Sequence, residues 1–329
     1  MVLSKFDGIG GHDVVISNLG KALTKIGHAV GIGSFSFQEE PPPNISKISL
    51  KKFQGFDKSD YDIIHSHQTH MNYYSLFSSK PFIFHYHGTA STLQDWNLTL
   101  MLTLRMKKIK KIIAVSNSAK NQIKNKLARI PIDVIYNGVD TKLFNTNLDR
   151  PHKKGDPQLL FVGKLYHHKN VVSLIRSISR IKEKFPSVHL QIVGDGNEFN
   201  NLKKEIKQKN LENNVELVGR LSSDELRFRY SSCDVYLSAS QKEAFPVPLL
   251  EAMACGKPLL LSNIEAHKEI VTASNAGLVF NDIVEIKDKL SKLYDNYHTF
   301  STAARDFAQK HDWSIVAKKF EQIYNKVLN

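Results

Sequence analysis

Glu243-Ala244-Phe245-Pro246-Val247-Pro248-Leu249-Leu250-Glu251-Ala252-Met253-Ala254-Cys255-Gly256-Lys257-Pro258 is the most specific stretch of this 329-residue chain. It reads as a strand-end glutamate, a tight turn, and a short helix closed by Gly256. Two acids stand eight positions apart, Glu243 before the helix and Glu251 within it. Both can face one ligand whose anionic part rests on the free amides of the helix N-terminus. Two carboxylates can hold hydroxyls on two sugars while the helix end holds a diphosphate between them, which suits a nucleotide sugar. The competing reading is a pair of solvated surface acids. Phe245, the paired prolines and the Ala-Met-Ala-x-Gly ending weigh against it.

Outward from this stretch the chain is a series of short apolar runs. Ahead of it lie Leu159 to Val162, Leu190 to Val193, Val215 to Val218 and Val235 to Ser238; behind it lie Pro258 to Leu261 and Gly277 to Phe280. Helical patterns separate the runs, so they read as a βα series. The stretch from Ile286 to Asn329 is helical throughout. The N-terminal half repeats the scheme. Met1 to Ser4, a helical face of Val15, Leu19, Ala22, Leu23 and Ile26, and Ala29 to Ile32 form one βαβ unit. Ile63 to His65, Phe82 to His85, Ile112 to Val115 and Val134 to Tyr136 follow. Such alternation favours parallel, doubly wound sheets. The polar, proline-broken segment 146–158 is the expected linker between a domain at 1–145 and one at 159–305, with a helix at 306–329 that packs back towards the first.

No uncharged apolar run approaches the roughly 18 residues that cross a bilayer, and Met1 opens directly onto strand-like sequence. A cytoplasmic location is expected. Cys233 and Cys255 lack metal-ligand spacing and read as inert core thiols. The formal charge of +13 is uneven: residues 101–150 carry eleven Lys and Arg against three Asp, while residues 1–100 balance at eight against eight. Arg105, Lys107, Lys108, Lys110, Lys111, Lys120, Lys124, Lys126 and Arg129 stand in a segment free of Asp and Glu, preceded by Leu98, Leu100, Met101, Leu102 and Leu104. The stretch Arg105–Lys111 can lie on an anionic membrane, which would make the protein peripheral on the cytoplasmic face. A solvated helix face is the plainer alternative, and a phosphorylated acceptor also fits.

The glycine groups exclude a dinucleotide fingerprint. Gly8-Ile9-Gly10-Gly11-His12-Asp13 has aspartate at the sixth place, and Gly194-Asp195-Gly196-Asn197-Glu198-Phe199 has phenylalanine there. Gly10 and Gly11 join the first strand to the first helix and allow close backbone approach to a ligand.

The stretch 243–258 resembles the signature of family-four retaining glycosyltransferases, and matching motifs follow the expected order over nearly all the chain. The resemblance implies the α/β GT-B fold, two Rossmann-like doubly wound domains facing across a cleft. It also implies a metal-independent transfer of a hexose-type sugar from a UDP- or GDP-linked donor to a saccharide or lipid-linked saccharide, with no cofactor. Phe161-Val162-Gly163-Lys164-Leu165-Tyr166-His167-His168-Lys169 is similar to the family's basic segment. There Lys164, in place of the usual arginine, and Lys169 would neutralise the donor diphosphate, although a lysine lacks arginine's planar fork. Gly163, Gly194, Gly196 and Arg220 would approach the nucleotide. Glu243 would hold sugar hydroxyls and Glu251 ribose hydroxyls, with Phe245, Pro246, Val247 and Leu249 completing the donor site. In His85-Tyr86-His87-Gly88 the resemblance places His87 beside the donor sugar. Val115 to Ser118, Tyr136 to Asp140, Glu269 and Trp313 are further family-like marks that support the fold.

Alternatives remain at this level. The His65, His67, His70, His85 and His87 group could ligate zinc if the rings converged. Another GT-B enzyme, a sugar-nucleotide epimerase or a phosphorylase, would use the same donor lobe. A basic nucleic-acid-binding protein would explain the lysines but leaves the two glutamates unexplained, so no nucleic acid is expected. A glycosidase pair lacks its second acid.

Overall fold

The structure, a computed structural model, describes residues 1–8, 11–51, 60–88, 109–124 and 130–329. The chain forms two compact units: Met1–Gly138 with His311–Asn329, and Val139–Lys310.

In the first unit the helical face read from sequence is α1, Gly11–Lys25, which buries Val15, Ile16, Leu19, Ala22 and Leu23. The strands are β1 (Lys5–Phe6), β2 (Gly31–Ser34), β3 (Ser36–Phe37), β4 (Ser46–Ser49), β5 (Ile64–Ser66), β6 (Phe82–Tyr86), β7 (Ile109–Ala114) and β8 (Ile132–Val134). β5, β6, β7 and β8 pair in that order, all parallel. Val2 bridges in parallel to Gly33 and to Ser66, which joins the β2–β4 pair to the same layer. Helix α2 (Asn117–Lys124) buries Ala119 and Ile123. β3 and β4 were not legible in sequence. Ser46–Ser49 carries a single large apolar residue and is mostly exposed, so it has no alternating apolar run.

The second unit holds one six-stranded parallel sheet of β9 (Gln158–Val162), β10 (His189–Val193), β11 (Val215–Gly219), β12 (Val235–Ser238), β13 (Leu259–Ser262) and β14 (Gly277–Phe280). Their spatial order is β11-β10-β9-β12-β13-β14. Chain order therefore reverses direction between β9 and β12, and the crevice beyond the carboxyl ends of those two strands is where such sheets receive ligands. The helices are α3 (Val171–Ile181), α4 (Phe199–Gln208), α5 (Ser223–Ser232), α6 (Val247–Ala254), α7 (Glu265–Ser274), α8 (Ile286–Asp295) and α9 (Tyr297–Gln309). Leu174, Ile175, Ile178 and Ile181 of α3 join Leu159, Phe161, Leu190, Ile192, Val235 and Leu237 in the core. Ser222 caps α5 in a reciprocal box with Glu225.

The division between the units falls at Gly138/Val139, and the stretch 146–158 expected as a linker is bound into the second unit. Arg150 Nη2 donates to Asp234 Oδ1 at 2.5 Å, Lys153 Nζ donates to the same carboxylate at 3.2 Å, and Gln158 opens β9. Its polar residues satisfy a buried carboxylate rather than water. The second unit extends to Lys310, because Phe307 and Ala308 on α9 are buried in it. The final helix α10 (Trp313–Leu328) belongs to the first unit and packs along α1, burying Val316, Ala317, Phe320 and Ile323. Trp313 covers Gly138 so closely that a Cβ there would meet its ring at 2.5 Å. Among the described residues no helix is long and apolar enough to cross a membrane.

Candidate functional site

The carboxyl ends of β9 and β12 carry the two charged residues singled out in the sequence. Beyond β9 the chain turns through Gly163 to a 3-10 turn, His167–Lys169, and Asn170 then adopts a left-handed conformation at φ 50° before α3. Beyond β12, Gln241 N donates to His168 O at 2.8 Å, which ties the two loops together. Across this junction Lys169 Nζ donates to Glu243 Oε1 at 2.5 Å, both side chains being largely buried. Lys164 is exposed and makes no ion pair among the described residues.

Gly163, Gly194 and Gly219 stand side by side at the same edge of the sheet. Gly163 N donates to Val193 O at 3.0 Å and Gly194 N to Gly219 O at 2.8 Å. A Cβ on Gly194, at φ +140°, would lie 1.9 Å from Gly163 O, so only glycine fits this close approach. Gly196 N is capped by its neighbour Asp195 Oδ1 at 2.7 Å, and Arg220 is exposed beyond β11.

Pro246 caps α6 at its N-terminus, with Val247 and Pro248 opening the helix. Gly256, at φ +67°, ends it: Gly256 N and Lys257 N return to Met253 O and Ala252 O. Phe245 and Leu249 are buried. Glu251 accepts a hydrogen bond from Tyr230 Oη at 2.6 Å; burial pushes its carboxyl up to about 7, with the Tyr230 hydrogen bond pulling the other way. Cys233 and Cys255 are free and buried, and burial pushes both thiols up to about 12, consistent with unreactive core cysteines.

Two residues at this site escaped the sequence reading. Tyr230 lies on α5, twenty-one positions from the carboxylate it serves. His267, fully buried on α7, sets Nδ1 against Ser262 O at 3.0 Å, while its Nε2 has no partner. Burial lowers its pKa to about 4, Glu243 opposing and Lys169 reinforcing the shift. A histidine one turn into a helix after Ser-Asn gives no local signal of that neighbourhood.

In the first unit, His87 lies immediately after β6 and lines a pocket with His12, His67, Gln68, Thr69, His70 and Gly88. His67 Nδ1 lies 3.1 Å from His87 Nε2, and the His12 and His87 rings meet edge-on at 4.7 Å. Gly11 is the first residue of α1, while Gly10 lies outside the described residues. Asp13, in the first turn, accepts from Asp7 N at 2.9 Å. Of the basic stretch, Arg105, Lys107, Lys108, Lys126 and Arg129 lie outside the described residues. Lys110 and Lys111 are in β7 rather than on a helix face, and Lys111 is paired with Asp133 at 2.7 Å, so it is not an unopposed cation.

The chain has relatives of known family. Residues 146–311 match the family model of glycosyl transferases group 1, and residues 9–143 match that of glycosyltransferase family 4. An uncharacterized glycosyltransferase of Methanocaldococcus jannaschii, MJ1178, is 27% identical over 97% of this chain and 95% of its own length. The phosphatidylinositol N-acetylglucosaminyltransferase GPI3 subunit of Saccharomyces cerevisiae is 23% identical over 97% of this chain and 80% of its own. The structure of Anabaena Alr3699/HepE in complex with UDP-glucose superposes with a TM-score of 0.80 at 18% identity, covering 99% of each chain. The two parallel α/β units, the motifs at their strand ends and both family matches lead to one assignment: the chain belongs to the glycosyltransferases of family 4, with the GT-B fold, and serves glycan or glycoconjugate biosynthesis.

Proposed function

We propose that this chain is a retaining hexosyltransferase that takes a nucleotide diphosphate sugar, UDP- or GDP-linked, as donor and a saccharide or lipid-linked saccharide as acceptor. The observation that carries the reading is the Lys169–Glu243 pair at the point where strand order reverses between β9 and β12. The UDP-glucose held by the Anabaena structure supports the donor class, and the phosphatidylinositol in the yeast relative's name supports a lipid-linked acceptor.

In this reading Lys169 and Lys164 carry positive charge to the leaving diphosphate, together with the amides at the start of α6, so electrostatic stabilisation supplies the catalysis without a metal. The bare row of Gly163, Gly194 and Gly219 lets the nucleotide approach the backbone, with Gly196 and Arg220 beside it. Glu243 accepts sugar hydroxyls and Glu251 ribose hydroxyls, and Pro246 and Val247 shape the entry to the helix. His87 positions the donor sugar. Retention follows when the leaving phosphate accepts the acceptor's proton on the face it departs from, with no protein nucleophile. The basic residues 105–111 give the enzyme a peripheral hold on the anionic cytoplasmic face of a membrane.

A thermal-shift screen against UDP, GDP, ADP and their sugar conjugates tests the donor site, since a ligand bound only by the folded state raises Tm. Stabilisation by one nucleotide series, followed by a glycosylated product with the donor's anomeric configuration, is expected. Stabilisation by none, or conversion of the sugar nucleotide with no acceptor, would overturn the reading.

A further inference from the structure

The first unit holds a side-chain cluster that the transfer reaction does not use. His65 and His67 project from the same face of β5 and its end, and His85 projects from the neighbouring strand β6. Their ring centroids lie 4.3 Å (His65–His67), 5.1 Å (His67–His85) and 5.3 Å (His65–His85) apart. All three are buried, at 3%, 2% and 1% exposure.

Burial at this level is costly for a polar atom without a partner. Four of the six ring nitrogens are in that position: His65 Nε2, His67 Nε2, His85 Nδ1 and His85 Nε2. The other two are engaged. His65 Nδ1 lies 2.8 Å from Tyr324 Oη on α10, and His67 Nδ1 lies 3.1 Å from His87 Nε2. When each of these Nδ1 atoms carries the proton and donates it, the Nε2 lone pairs of His65 and His67 are left free. This is the arrangement in which an outer hydrogen bond fixes the tautomer of a metal-ligating histidine. One nitrogen from each of the three rings lies within 4.8 Å of the others. The rings of His65 and His85 are stacked at an interplanar angle of 20°, so binding requires them to turn until three such atoms reach the roughly 3.3 Å spacing that about 2.05 Å Zn–N bonds require in a tetrahedron.

We propose that His65 Nε2, His67 Nε2 and one ring nitrogen of His85 bind a divalent transition-metal ion of the zinc class, pinning β5 to β6. Imidazole is the donor that zinc and its neighbours prefer, and no carboxylate is needed. His67 also lines the pocket shared with His70, Gln68 and His87, which gives the ion a route in. The proposal stands independently of the donor and acceptor assignments above.

The test is a titration of the untagged, chelator-treated chain with Co2+, whose visible spectrum distinguishes four-coordinate from six-coordinate binding. One equivalent bound with a four-coordinate spectrum is expected. Binding should be at least tenfold weaker in His65→Phe/His85→Phe and unchanged in the exposed-site control His298→Ala. No stoichiometric binding by the parent chain, or the same spectrum in the folded double variant, overturns the proposal. Should the double variant not fold, X-ray absorption of the zinc-loaded parent decides: a shell of three imidazole nitrogens at about 2.0–2.1 Å supports it, and a shell of oxygens with fewer than two imidazoles defeats it.

Discussion

Lys169 Nζ donates to Glu243 Oε1 at 2.5 Å across 74 positions of sequence, and the two residues come from loops beyond strands on either side of the reversal in sheet order. With side-chain exposures of 17% and 12%, neither charge is well solvated, so each depends on the other when no ligand is present.

Removing either partner should separate binding from turnover. Lys169→Ala is expected to raise the donor KM about tenfold or more while the protein remains folded, because one charge facing the diphosphate is lost. Glu243→Ala should abolish transfer and lower Tm while the variant remains folded, because the largely buried Lys169 loses its partner. Steady-state kinetics with circular dichroism check both, and ordinary kinetics in the two variants would refute the assignment of the site.

Donor affinity should depend on pH through Glu251. Its carboxyl, raised to about 7, holds a proton through the acid range and releases it as pH rises past neutrality. If the carboxylate accepts ligand hydroxyls, affinity for the sugar nucleotide should rise about tenfold between pH 6 and pH 8. Glu251→Gln should bind weakly with a flat profile. Tyr230→Phe removes the hydrogen bond that lowers the carboxyl, so its midpoint should move up. Calorimetric titrations at three pH values decide, and an unchanged slope in Glu251→Gln would rule the residue out.

Gly194→Ala should be poorly tolerated. The new methyl would meet Gly163 O at 1.9 Å, and φ +140° is strained for any L side chain. A loss of at least about 2 kcal/mol is expected from strain and backbone displacement. Denaturant unfolding measures it; a loss below half that figure would mean the loop relaxes freely.

Asp234 anchors the segment once expected to be a linker. Burial alone would raise its carboxyl, but donation from Gln158 N at 2.8 Å and from Arg150 holds it below the ordinary range. A depressed carboxylate contributes stability that is present above about pH 4 and is lost as pH falls below it. Asp234→Ala leaves the buried Gln158 N–H without its acceptor and should cost about 2 kcal/mol, with little added from the half-exposed Arg150 and Lys153. Asp234→Asn should recover part of that loss. The acid limb of the stability profile should be flatter in both variants, as thermal unfolding from pH 3 to 7 will show.

Much of the architecture was legible because its signals are local. The run Leu159 to Val162 became β9, Val235 to Ser238 became β12, and the apolar period of Val15, Leu19, Ala22 and Leu23 became the buried face of α1. Side-chain alternation and helical period are fixed by residues a few positions apart. The same locality explains what was missed. Ser46–Ser49 forms a strand by pairing with β2, and no apolar run marks it.

By itself the sequence determined that this chain is a succession of βα units carrying the Glu243–Pro258 signature, because strand and helix periods and the turn residues around them are written in neighbouring positions. Only the tertiary structure decided which strand lies beside which. Pairing in a parallel sheet joins residues far apart in the chain, and the order β11-β10-β9-β12-β13-β14 is what sets Lys169 against Glu243. Packing likewise set Tyr230 against Glu251 and gathered His65 and His67, in and just after β5, with His85 of β6 into one buried cluster, since these contacts arise when separate elements bury their faces together.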